Sequence, residues 1–151
     1  MKPVALANIT KSNLISQVWQ NVYDILNSNL TDPKSRSKWI YAAFPSVRKG
    51  TADTYPCIII ESPDMSGENI IMGHSSRSYR WSIPISVYST RMEDVDTIAD
   101  DIINTLETNK GSLSTNNLYQ FNVDSTPVMH TVIASQIVHE KRILVTVESV
   151  V

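Results

Sequence analysis

From residue 79 to residue 89 the chain alternates without a break. Tyr79, Trp81, Ile83, Ile85 and Val87 fall on one side of an extended backbone, and Arg80, Ser82, Pro84, Ser86 and Tyr88 on the other. Side chains of a strand leave alternate faces, so the segment predicts a long strand with one buried and one wetter face. Such a strand needs neighbours on its flanks and a second layer over its apolar face. Pro84 adds a condition. It has no N–H, so at that point one side of the strand is expected to have no hydrogen-bonded neighbour.

The rest of the chain supplies the layers. Residues 12–30 predict an amphipathic helix: Leu14, Val18, Val22, Leu26 and Leu30 recur at spacing four, with Ile15, Trp19 and Ile25 alongside. Ser12 is the expected N-cap, and Asp32-Pro33 ends the helix because a residue before proline is pushed out of helical geometry. A short strand is expected at 39–43. The apolar run Cys57-Ile58-Ile59-Ile60 reads as a strand covered on both faces. Residues 64–78 read as a long exposed polar excursion around Ile70, Ile71 and Met72, for which a hairpin is one form, expected to be mobile in a free subunit and ordered on assembly. Thr90 to Glu93 fits a capping box. The helix that follows has a core stripe of Val95, Ile98, Ala99, Ile102, Ile103 and Leu106. A polar turn at 109–117 and strands at 118–123, 128–138 and 142–150 complete the reading, the last two joined by a turn at 139–141. The strands bunch rather than alternate with helices. The expected fold is therefore α+β, a mainly antiparallel sheet with two principal helices packed on one face.

Composition narrows the function classes. At 151 residues and 16.9 kDa, one domain over 1–151 is expected, able to form a core without staples. Cys57 is the sole cysteine, which leaves no internal disulfide and no multi-cysteine zinc site, and a reducing compartment is the expectation. The apolar stretch 3–7 is too short for a signal-peptide core, and no segment approaches a membrane span. Four glycines form neither phosphate-binding fingerprint. Gly73-His74-Ser75-Ser76 lacks the setting of a nucleophile elbow. His74, His130 and His139 fall on different elements with no ligand at metal spacing. No catalytic residue, cofactor or metal is expected.

Charge is unevenly divided. Residues 1–50 carry seven basic residues against two acidic, a net of +5, whereas the remainder carries six basic against thirteen acidic, a net of −7. The basic group includes Lys34, Arg36, Lys38, Arg48 and Lys49, interleaved with Trp39, Tyr41 and Phe44. The acidic group includes Asp96, Asp100 and Asp101, and the last two lie too far along their helix to complement its dipole. The division fits two faces that attract between neighbouring copies. It also leaves open a nucleic-acid surface on 34–49, with lysines on phosphates and Trp39 or Tyr41 on bases.

The order of these segments resembles the tail terminator, or tail completion, proteins of long-tailed bacteriophages. The resemblance rests on an N-terminal helix, WIYAAFP at 39–45, TYPCIIIESP at 54–63, the excursion, YRWSIPISVYS at 79–89, MEDVDTIADDIINTLE at 92–107 and a C-terminal hairpin. It covers nearly the whole chain, but as a pattern with no fingerprint residue. A tube subunit or another neck component shares much of it. The resemblance implies a non-enzymatic ring, usually a hexamer, that stops tail-tube growth and presents a surface to a head-completion or neck protein. It implies assembly in the host cytoplasm, residence in the virion tail, DNA met only in passage through the lumen, and no membrane partner. The expected interface comprises Lys34, Arg36, Lys38, Arg48, Lys49, Ile70, Ile71, Met72, Asp96, Asp100 and Asp101.

Overall fold

Two long strands run antiparallel through the middle of the molecule, β4 (Arg77–Ser89) and β7 (Gln136–Val150). Twelve residue pairs join them, from Ser78 opposite Val150 to Ser89 opposite His139. The computed structural model describes residues 14–43, 54–69, 77–133 and 135–150, with residues 68, 69, 77 and 150 described by backbone alone. On the far side of β4 lie β2 (Cys57–Ile60) and β3 (Asp64–Asn69), end to end in one row. On the far side of β7 lie β5 (Leu118–Ser125) and β6 (Met129–Ile133), again end to end. The two-residue strand β1 (Ile40–Tyr41) runs parallel to β2 and makes an otherwise antiparallel sheet mixed.

Helices α1 (Leu14–Asn29) and α2 (Met92–Thr108) pack against the sheet, followed by the short α3 (Lys110–Thr115). The fold is α+β. The main core joins Val18, Val22, Ile25 and Leu26 of α1 and Val95, Ile98, Ala99, Ile102 and Leu106 of α2 to Trp81, Ile83, Ile85, Val87, Ile143, Val145 and Val147. Burying one Ile or Leu side chain fully contributes about 2 kcal/mol, so this cluster dominates what holds the layers together. A smaller cluster of Tyr55, Cys57 and Val138 lies on the other face, as the register shows: Cys57 stands opposite Tyr88, which points away from the helices. Both faces of β2 are thereby covered.

Pro84 sits where β2 gives way to β3. Its carbonyl accepts from the Glu61 N–H at 2.9 Å, so its missing donor faces the same junction, residues 61–63, and no ladder bond is lost. The long strand keeps a proline in its interior for this reason.

The excursion 64–78 begins and ends as a hairpin, as the sequence reading allowed, with Asp64 opposite Ser82 and Asn69 opposite Arg77. Four details differ from the sequence reading. No capping box forms: α2 has Arg91 at its N-cap with no side-chain cap bond, and the Arg91 N–H is held by Ser89 Oγ at 3.2 Å. The polar turn contains α3, whose Leu113 is fully buried and draws the segment onto the core. The last two strands turn between Ile133 and Gln136, with Ser135 in the left-handed region (φ 65°), and β7 continues straight through 139–141. Finally, β5 carries a bulge: two residues lie between Tyr119 and Asn122 where one lies between their partners Glu148 and Thr146, and Gln120 takes φ 52°. The bulge keeps Leu118, Phe121 and Val123 all packed on the core despite their broken spacing. The expected N-cap Ser12 lies outside the described residues.

Trp81 ties the central pair to the core. Its ring is fully buried and its Nε1 donates to Ser149 Oγ at 2.8 Å across the sheet. Trp81→Ala is expected to cost about 4 kcal/mol, read as a lower urea midpoint with an unchanged slope.

Candidate assembly surfaces

The basic segment begins with a closed knot. Asp32, just beyond α1, accepts from the Lys34 N–H at 3.0 Å, the Arg36 N–H at 2.8 Å, and both Nε (2.8 Å) and Nη2 (3.0 Å) of the Arg36 side chain. Arg36 Nη1 donates to the Thr54 carbonyl at 3.0 Å and Nη2 to that of Pro56. Ser35 takes a left-handed φ of 51° to make the turn. The side chains of Arg36 and Asp32 are only 13% and 5% exposed. Arg36 was expected on the interface. The structure turns it inward, because a planar guanidinium can satisfy one carboxylate and two carbonyls at once, and it clips the end of α1 to the approach to β2. Burial raises the Asp32 pKa, but the hydrogen bonds from Arg36 and the two amides, with the Arg36 charge, outweigh it and hold the carboxyl below its ordinary value.

Of the other expected interface cations, Lys34 and Lys38 are exposed. The Lys38 ammonium lies 5.2 Å from the centre of the Tyr41 ring. Arg48, Lys49, Ile70, Ile71 and Met72 lie outside the described residues. Among the expected acids, Asp96 is half engaged within the chain, its Oδ1 3.0 Å from Lys141 Nζ. Asp100 and Asp101 are exposed, and no described basic side chain lies within salt-bridge distance of either. The basic segment leads into β1 at one border of the sheet, whereas α2 packs over β4 and β7. The structure does not bring the two groups together within one molecule.

Two hairpins leave the central pair at opposite ends and on opposite sides. The described part of the β3–β4 hairpin lies alongside the first residues of β4, from Asn69 opposite Arg77 to Asp64 opposite Ser82, and the β6–β7 hairpin extends past Ser89, the last residue of β4. The sequence reading expected a C-terminal hairpin with its turn at 139–141 and did not place it on the interface. Its cross-strand pair Val132 and Ile137 is 69% and 62% exposed, and Met129, on the opposite face of the hairpin, is 54% exposed. Met65 on β3 is 48% exposed. Among the described residues the outer edges of β3, β5 and β6 carry no strand.

The residues weighed for other chemistry are placed differently. Trp39 is 6% exposed and belongs to the core, so it offers no face for a base to stack on. Cys57 is fully buried, and burial pushes its thiol up to about 12 although the Arg36 charge pulls the other way. It stays protonated near neutrality. A groove of about 380 Å3 beside α1 is lined by Ile15, Trp19, Pro63 and neutral polar residues, with no acid–base pair. Among the described residues no three His, Cys, Asp or Glu side chains converge. His130 and His139, read from the sequence as scattered, face each other across the β6–β7 hairpin. No protein-family model matches the chain, and no curated protein matches it.

The Asp32 knot predicts a pH dependence. A carboxyl whose pKa is depressed by folding contributes stability that is present above its unfolded value, about 3.9, and is lost as pH falls through the folded value. Asp32→Asn leaves the Arg36 charge buried and uncompensated, and is expected to cost about 3 kcal/mol at neutral pH. Between about pH 5 and pH 2, urea unfolding should show the variant losing less stability than the wild type.

Proposed function

We propose that the protein is a non-catalytic structural subunit of a long-tailed bacteriophage, a tail terminator that forms a ring of six copies on the end of the tail tube and presents its other side to a head-completion or neck protein. The observation that carries this reading is the diagonal placement of the two hairpins. Hairpins on opposite flanks and at opposite ends of one pair of strands make a head-to-tail contact natural, and such a contact closes into a ring when its rotation divides a full turn. Open strand edges supply main-chain donors and acceptors for a neighbour. The exposed Asp100 and Asp101, and the exposed lysines Lys34 and Lys38, supply opposite charges at separate places on the surface. The segment order adds the resemblance to tail terminators, which a tube or neck component shares.

Exposed ion pairs contribute only about 0–1 kcal/mol each, so several must act together, and their effect falls on orientation and association rate. Asp100→Lys with Asp101→Lys is expected to weaken self-association, measured as mass in solution and as rings on purified tail tubes by electron microscopy. Lys34→Glu with Lys38→Glu in the same chain should restore part of it, and association of the wild type should weaken as salt rises. Arg36 is left intact in this test because its change would unfold the knot. Unchanged assembly after acidic reversal, or protection of DNA from nuclease by residues 34–49, would overturn the inter-subunit assignment.

A further inference from the structure

The register of the β6–β7 hairpin sets His130 directly opposite His139. Directly opposed residues of an antiparallel pair leave the sheet on the same side, with Cβ atoms about 4.5–5.5 Å apart. The imidazoles meet edge to face, ring centroids 4.6 Å apart and planes at 81°, with the two Nδ1 atoms 2.6 Å apart. At that distance one nitrogen must donate and the other accept. The pair holds a single proton between two nitrogens at an exposed site.

We propose that His130 and His139 chelate a divalent transition-metal ion of the zinc, nickel or copper type. On binding, the shared proton moves through solvent to Nε2 of the donor ring, both Nδ1 lone pairs face the ion, and water completes its coordination. Imidazole nitrogens lie about 2.0–2.1 Å from zinc, so two of them on a tetrahedral ion are about 3.3 Å apart. Rotation of the two side chains supplies the small opening from 2.6 Å without moving the backbone. The backbone is held: Met129 pairs with Glu140 and Thr131 with Val138 on either side of the histidines, and Ser89 of β4 flanks His139. Lys141, the next residue on that face of β7, has its ammonium 3.0 Å from Asp96, which offsets its repulsion of a cation. Nitrogen ligands select these ions over magnesium or calcium, which prefer oxygen. No third described His, Cys, Asp or Glu joins the pair, so the ion keeps open positions and exchanges readily. The proposal is independent of the ring reading.

The test is calorimetric titration of the full chain with zinc chloride in a non-chelating buffer at neutral pH. One ion per chain is expected. His130→Gln and His139→Gln should each bind on the order of a hundredfold more weakly, since chelation by two linked groups is lost. His74→Ala should bind as the wild type does, and acidification should weaken wild-type binding because protons compete for the nitrogens. Circular dichroism checks that the glutamine variants are folded. A second measurement needs no variant: substoichiometric copper(II) should broaden the imidazole signals of His130 and His139 before any others. Equal zinc binding by wild type and both glutamine variants, loss of binding with His74→Ala, absence of binding at millimolar zinc, or copper broadening elsewhere first would overturn the proposal.

Discussion

Everything in this fold depends on the pairing of β4 with β7. Twelve consecutive cross-strand pairs fix which residues face the helices and which face away, and a slip of one position would exchange the two sets. The alternation of Trp81, Ile83, Ile85 and Val87 with Ile143, Val145 and Val147 makes that slip costly, because it would turn one strand over and carry either the four buried side chains of β4 or the three of β7 away from the helices. Both flanking rows take their register from this pair. So does the polar chemistry across it: Arg80 to Glu148 at 3.1 Å and Tyr88 to Glu140 at 3.1 Å join directly opposed partners, and Trp81 reaches Ser149 diagonally, two residues beyond its own partner Val147.

Much of the architecture was legible wherever the burial period was simple. Residues 79–89 and 142–149 place their odd-numbered side chains toward the core as read, residues 57–60 are covered on both faces, and the apolar stripes of α1 and α2 face the core. What escaped the reading depends on contacts distant in sequence. Leu113 makes α3 helical by docking on the core, which a segment rich in Ser, Thr, Asn and Gly does not announce. The bulge at Gln120 is visible only as an oddity in the spacing of Leu118, Phe121 and Val123. The turn was misplaced because His139-Glu140-Lys141 is polar, whereas those residues are in fact held in the longest strand by β4 and β6 on its two sides.

The surface was less legible than the core. Charge counting treats every arginine as a surface cation, yet Arg36 is a structural tie whose partners, Thr54 and Pro56, lie 18 and 20 residues away. Asp96 likewise answers to Lys141, which is 45 residues away. Composition cannot assign such pairs. The signal that would have exposed the knot was local: an aspartate before proline with an arginine four residues on matches the geometry of an Asx turn closed by an ion pair. The histidine pair had no such local signal, since nine residues separate its members and only the position of the hairpin turn makes them neighbours.

The junction opposite Pro84 carries a consequence for how disturbance travels. A row made of two half-strands separated at 61–63, beside a residue that offers no donor there, has no continuous ladder along which opening can spread. The row beyond β7 is divided in the same manner at 126–128. Each half-strand can therefore open as its own cooperative unit, at a free energy below that of global unfolding. Pulling on either hairpin frees one corner of the sheet, while β2 stays bonded over the buried cysteine and β5 stays on its core. The proline marks the point at which the two half-strands can part from β4 separately.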